Sequence, residues 1–168
     1  MIFRSLIIII ICILVLTAGV LVWNESYYCD LVPCLSPIDY AGNLPLRNDS
    51  RGSGAFGTRR NGNRRHQGID ILAPIGTPVC AAKGGVAFAG DYQRGMGKYV
   101  KIVHRNGVVT IYGHLSAVCI RPIQKVRQGT VIGAVGKTGN AQSKDIQPHL
   151  HFEMRRRGVA LDPRDYLF

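Results

Sequence analysis

The sequence predicts an all-β protein: a single compact antiparallel β-sheet or sandwich domain preceded by an N-terminal transmembrane helix. Three observations lead there. One apolar stretch without charge stands at the N-terminus, and helical patterning is nearly absent after residue 24. Beyond it, apolar residues come in short runs of period two: Val108, Thr110, Tyr112 and His114 alternate with Val109, Ile111 and Gly113. Twenty glycines fall mostly between these runs, where turns are needed.

Residues 6–23 are 18 residues with no charged side chain, rich in Ile, Leu and Val. That is the lower limit for crossing a bilayer. A cleaved secretory signal is the rival, with Thr17-Ala18-Gly19 as its small-residue site. The run continues to Trp23, which suits a membrane interface, so residues 1–23 read as an uncleaved anchor. Arg4 precedes the run and no Lys or Arg follows until Arg47. This charge bias puts the N-terminus in the cytoplasm and the remainder outside, periplasmic or extracellular, and secreted if the N-terminus is cleaved. Residues 24–52, with Pro33, Pro37 and Pro45 among Asn, Asp and Ser, read as a linker. Residues 53–168 form the domain. Its strands are expected at 69–72, 79–89 (broken at Gly84-Gly85), 99–103, 108–114, 130–135 and 149–154.

Five cysteines bear on compartment. Cys12 lies in the apolar run. Cys29, Cys34, Cys80 and Cys119 are an even number on the oxidising side, which allows Cys29–Cys34 and Cys80–Cys119 bridges. The other reading makes Cys80 and Cys119 small buried hydrophobes.

The chemistry lies in the histidines. Four of five occur in three short motifs: His66-Gln67-Gly68-Ile69-Asp70, Tyr112-Gly113-His114-Leu115-Ser116 and Pro148-His149-Leu150-His151-Phe152. Imidazole and carboxylate are the ligands of hydrolytic zinc sites, which use three protein donors and keep one position open. His149 and His151, two apart on a strand, point to one face about 6.6 Å apart along the chain, with Leu150, Phe152 and Met154 on the buried face. His66 and Asp70 are four apart, about 13 Å if extended, so the chain must bend to bring both to one ion. Gly68 stands where bending is easiest. Histidines left over from ligation are available for proton transfer. His104, at the end of the run 99–103, reads as structural.

These motifs, with Phe56-Gly57-Thr58-Arg59, Ala73 to Val79, Gly84-Gly85-Val86, Gly133 to Gly139 and Asp162-Pro163, resemble the lysostaphin/LytM-type zinc endopeptidases, which cut peptide cross-links in bacterial peptidoglycan. The resemblance runs from about Ser53 to Leu167. It implies one Zn²⁺ held by His66, Asp70 and His151, with His114 and His149 as the two catalytic histidines. All five are present, whereas inert relatives typically lack one or more. The loop from Asn140 to Gln147 looks longer than usual and would border the cleft.

The function read from this is a membrane-tethered zinc metalloendopeptidase acting on peptidoglycan. The alternative is a catalytically silent wall-binding or hydrolase-activator module of the same fold. The net charge of +11 clusters at Arg59, Arg60, Arg64 and Arg65 and at Arg155 to Arg157. No nucleic-acid fold signature accompanies it, so no nucleic acid is expected. Anionic wall polymers or lipid head groups are candidate partners, alongside an ordinary solvated face.

Overall fold

The structure, a computed structural model, describes residues 10–17, 34–60 and 62–167. The short apolar runs become β1 (Asn48–Asp49), β2 (Gly52–Ser53), β3 (Ile69–Leu72), β4 (Pro78–Cys80), β5 (Gly85–Asp91), β6 (Lys98–Val103), β7 (Val108–Val118), β8 (Ile123–Val126), β9 (Val131–Val135), β10 (His149–Arg156) and β11 (Val159–Leu161). β1 and β2 form a small hairpin. The rest make one sheet in the order β11-β10-β7-β6-β5-β8, with β3 beside β10 and β9 joining β7 to β4. All these strand pairs are antiparallel. The expected run 79–89 is two strands, because the chain bends at Ala82-Lys83 between β4 and β5.

β7 organises the domain. Its first half lies between β6 and β10, and its second half pairs with β9. Between the halves the register slips and His114 adopts a φ of 62°. A non-glycine residue in that region costs roughly 1–3 kcal/mol. Two hydrogen bonds offset the cost: the His114 amide donates to Met96 O at 2.7 Å, and its ring Nδ1 meets Thr138 O at 2.9 Å.

One face of the sheet carries the core. Leu150, Phe152, Tyr112, Val100, Ile102, Ile69, Ile71, Ile132 and Val135 are fully buried. Each contributes roughly 1.5–3 kcal/mol by leaving water. His104 belongs to this side. Its Nδ1 lies 2.8 Å from Gly84 O and its Nε2 2.8 Å from Thr110 Oγ1, which is 3.0 Å from the Tyr112 hydroxyl.

The residues expected as a linker do not hang free where they are described. Leu46 bridges to Ile71, Leu72 N donates to Pro45 O at 2.7 Å, and Cys80 N donates to Pro37 O at 2.8 Å. Cys34 and Ile38 are in the core. Proline lacks a donor but keeps its carbonyl, so this segment can edge the domain as an acceptor. Of the expected anchor, only residues 10–17 are described, and they are helical. Among the described residues, no helix is long and apolar enough to cross a membrane.

The expected Cys80–Cys119 bridge is not formed. Cys80 pairs with Val131 on one side of β9, and Cys119 N donates to Ile132 O on its other side. An intervening strand puts the two roughly 10 Å apart, beyond the reach of a disulfide. Cys29 lies outside the described residues.

Candidate metal centre

The face of the sheet opposite the core carries the centre. Asp70 on β3 pairs in register with His151 on β10. Their neighbours Ile69, Ile71, Leu150 and Phe152 turn into the core, so alternation alone aims both polar side chains the other way. His66 arrives from a hairpin in which Gly57 N donates to His66 O and His66 N to Thr58 O, both at 2.9 Å.

Three ligand atoms converge. His66 Nε2 lies 3.1 Å from Asp70 Oδ1 and 3.1 Å from His151 Nδ1, and His151 Nδ1 lies 2.8 Å from Asp70 Oδ1. All three side chains are buried. Donors of a tetrahedral zinc site stand about 3.3 Å apart, so the triangle fits one small ion. Two imidazoles and a carboxylate are also the donor chemistry of zinc.

Each ligand is tied at its other end. His66 Nδ1 donates to Ala55 O at 3.0 Å, and His151 Nε2 donates to Glu153 Oε1 at 3.0 Å. Asp70 Oδ2 accepts from Arg47 Nη2 at 3.0 Å and Arg60 Nη2 at 3.1 Å. Glu153 in turn accepts from Arg155 Nε at 2.7 Å, and Arg155 Nη2 donates to Gln67 Oε1 at 2.6 Å. Such outer bonds fix tautomer and ring orientation. They are the part that reading the sequence missed. Glu153 continues the period-two face of His149 and His151, and that was the available signal. Arg60 and Arg155 belong to clusters first read as surface charge; both turn onto buried carboxylates.

The electrostatics follow. Burial alone would raise the Asp70 carboxyl, but hydrogen bonds from His151 and His66 hold it far below the usual carboxylate range. Burial alone would lower His151, but its bonds to Asp70 and Glu153 outweigh that and hold it up at about 9.

His114 and His149 flank the ligands. His149 Nδ1 donates to Gln147 O at 2.6 Å, and its Nε2 points inward, 3.8 Å from Asp70 Oδ1. The His114 and His149 rings meet edge to face at 5.1 Å, and His114 lies 5.7 Å from the His151 ring. Burial pushes His114 down to about 3, helped by the nearby His151 and His149; burial also lowers His149. Both are therefore neutral imidazoles with Nδ1–H committed to a carbonyl. The structure brings together four of the five histidines and leaves His104 in the core. Next to the ends of β3 and β10, Leu72, Ala73, Pro74, Gln147 and Pro148 line a shallow groove.

A β-domain with a buried His-Asp-His triangle and two further inward histidines has the architecture of a metal-dependent hydrolase. The chain belongs to Peptidase family M23, whose profile matches residues 64–163. It is 39% identical over 101 residues to the peptidoglycan DD-endopeptidase ShyC of Vibrio cholerae, a match covering 60% of this chain and 22% of ShyC. It is 34% identical over 113 residues to the murein hydrolase activator NlpD of Salmonella dublin, covering 67% of this chain and 28% of NlpD. The chain thus spans less than a third of either relative. The solved catalytic domain of the antimicrobial peptidase lysostaphin from Staphylococcus simulans matches with a TM-score of 0.57 at 31% identity, covering 66% of this chain and 86% of that one. Relatives of this chain therefore include both an endopeptidase and a hydrolase activator.

Proposed function

We propose that this protein is a zinc metalloendopeptidase that hydrolyses peptide cross-links of peptidoglycan, tethered to the cytoplasmic membrane by residues 6–23 with its domain outside. One observation carries the reading: a complete ligand triangle with two neutral, inward-facing histidines beside it. His66, Asp70 and His151 would hold the ion. Bound there, zinc supplies a Lewis acid that polarises the scissile carbonyl and acidifies water toward neutral pH.

The chain supplies the proton handling. His149 keeps Nδ1–H on Gln147 O and offers Nε2 as acceptor, so it takes the proton from the attacking water. His114, held through Thr138 O with its ring 5.1 Å away, serves the other end of the reaction. There it receives charge beside the developing oxyanion or passes the proton to the leaving amine. Arg47 and Arg60 both bond Asp70 Oδ2 and so leave its Oδ1 turned toward the other two ligands, where the ion would sit.

The similarity to NlpD favours a second reading, a silent activator module. The intact set of His66, Asp70, His151, His114 and His149 argues for catalysis. The discriminating experiment incubates the full chain with purified sacculi, with and without chelator. Chelator-sensitive release of new amino groups supports the enzyme. Binding without release, alongside stimulation of a separate murein hydrolase, supports the activator. The protein must retain residue 34 onward, because Cys34 and Ile38 are core residues.

A further inference from the structure

Strand alternation divides the sheet into two faces, and the registers align one row across the outer face. Val100, Tyr112 and Phe152 point to the core. Tyr99, Gly113 and His151 point the other way, with the metal centre. Asp70 pairs with His151, and His151 with Gly113; the bulge between β6 and β7 sets Tyr99 beside Gly113; Tyr99 pairs with Gly90. The row therefore runs from a ligand to an aromatic ring two strands away.

That ring is part of a pair. Tyr99 covers Gly90, where a Cβ would come within 2.5 Å of the ring, so glycine is what admits it. Tyr92 stacks on Tyr99 with ring centroids 5.2 Å apart and planes at 15°, and the hydroxyls are 3.3 Å apart. Tyr92 is 60% exposed. The turn bearing it is braced: Tyr92 N donates to Gly97 O at 3.0 Å, Asn140 N to Gly95 O at 3.0 Å, and Lys98 N to Thr138 Oγ1 at 2.9 Å. Met96 of the same turn covers Gly113.

We propose that the Tyr92–Tyr99 pair is a glycan platform, holding a sugar ring of the peptidoglycan strand while its stem peptide reaches His66, Asp70 and His151. The proposal rests on the endopeptidase reading above. Two strand spacings separate β10 from β6 and three separate β10 from β5, roughly 10 and 14 Å. A stem peptide of about three to four extended residues spans the same roughly 10–14 Å between a cross-link bond and its muramic acid. The chemistry also favours sugar. A rigid aromatic face, negative at its centre, accepts the C–H groups of a pyranose ring. Between the centre and Tyr99, β10, β7 and β6 are each paired on both sides, so this span offers no free edge for an extended peptide to join.

The test uses peptide-free glycan strands of alternating N-acetylglucosamine and N-acetylmuramic acid, titrated into the full chain. Wild type binds them; Tyr92→Ala binds about tenfold more weakly, the loss of one stacking face; Tyr92→Phe stays within about twofold. Because Tyr92 is exposed, neither change should unfold the domain; thermal melting is checked in parallel, and binding is read well below the transition of every variant. No binding by wild type, equal binding by Tyr92→Ala, or a Phe variant as weak as Ala would each overturn the proposal. Chelator-sensitive cleavage of sacculi is read separately. Its absence sinks the endopeptidase reading without touching the binding result, since these strands carry no peptide bond to cut.

Discussion

His151 gives its Nε2 proton to Glu153 Oε1 at 3.0 Å, and this bond leaves Nδ1 as the nitrogen facing Asp70 and His66. Glu153 is itself held by Arg155 Nε at 2.7 Å. Glu153→Ala should therefore weaken zinc binding about 10–100-fold, the usual cost of losing an outer partner of a histidine ligand. Glu153→Gln should lose less, because an amide oxygen still accepts the bond. Competition with a chromophoric chelator measures both, and an unchanged affinity in the alanine variant would remove Glu153 from this role.

Ligation and catalysis separate at the next pair. His151→Ala leaves two protein donors and should abolish stoichiometric zinc in the purified protein. His114→Ala removes no donor, so it should retain a full equivalent while losing about 10²–10⁴-fold in cleavage of sacculi. Metal analysis and product release on the same samples decide it. Loss of zinc in the His114 variant would exchange its assignment with a ligand.

Gly68 has a second job beside the bend that its sequence position suggests. A Cβ there would stand 2.3 Å from Phe152 O and 2.9 Å from Glu153 Cγ. The glycine thus serves close approach of the chain to β10 on its way into β3. Gly68→Ala must push β10 away and should cost about 3 kcal/mol. Because Asp70 and His151 sit on the two displaced strands, zinc affinity should fall with it. Denaturant melts of the metal-free protein read the first effect; a loss within about 0.5 kcal/mol, as at an ordinary surface site, would show that the strands can part freely.

Much of this site was legible because strand periodicity is local. His149 and His151 share a face on any strand, and Leu150 and Phe152 must take the other. The all-β character followed from the same rule. What escaped was long-range. Nothing in residues 34–52 announces that Pro37 and Pro45 carbonyls receive amides from Cys80 and Leu72, although Ile38, Leu44 and Leu46 are an apolar set that a free linker does not need. The strand between Cys80 and Cys119 is equally invisible to cysteine counting. The turning of Arg47, Arg60 and Arg155 onto carboxylates depends on which strands become neighbours, so net charge alone overstated the free basic surface.

Arg47 tests that upstream packing. It is 5% exposed and joins Asp70 Oδ2 at 3.0 Å to Asp49 Oδ1 at 2.6 Å. Arg47→Ala leaves a buried carboxylate with Arg60 as its remaining arginine and should destabilise the metal-free domain by about 3 kcal/mol. Arg47→Lys should recover part of this, since an ammonium keeps the charge and loses the fork. Thermal melting of both variants provides the measurement. An alanine variant as stable as wild type would mean that Arg60 suffices.

The last prediction concerns pH. Without metal, His151 is protonated between Asp70 and Glu153, with its pKa held up at about 9 against an ordinary 6.5. A folded-state pKa above the unfolded one stabilises the metal-free fold fully below about pH 6.5, and that contribution disappears as pH rises through about 9. The metal-free domain should therefore melt at lower temperature as pH climbs across this window. Zinc must displace the proton on Nδ1, so its affinity should change in the opposite sense, rising about tenfold per pH unit up to about 9. Zinc titrations at several pH values between 6.5 and 8.5, with buffer competition held constant, test this together with calorimetric proton release. An affinity flat across that range would show that His151 is already unprotonated in the metal-free protein, and that its bonds to Asp70 and Glu153 do not hold the proton.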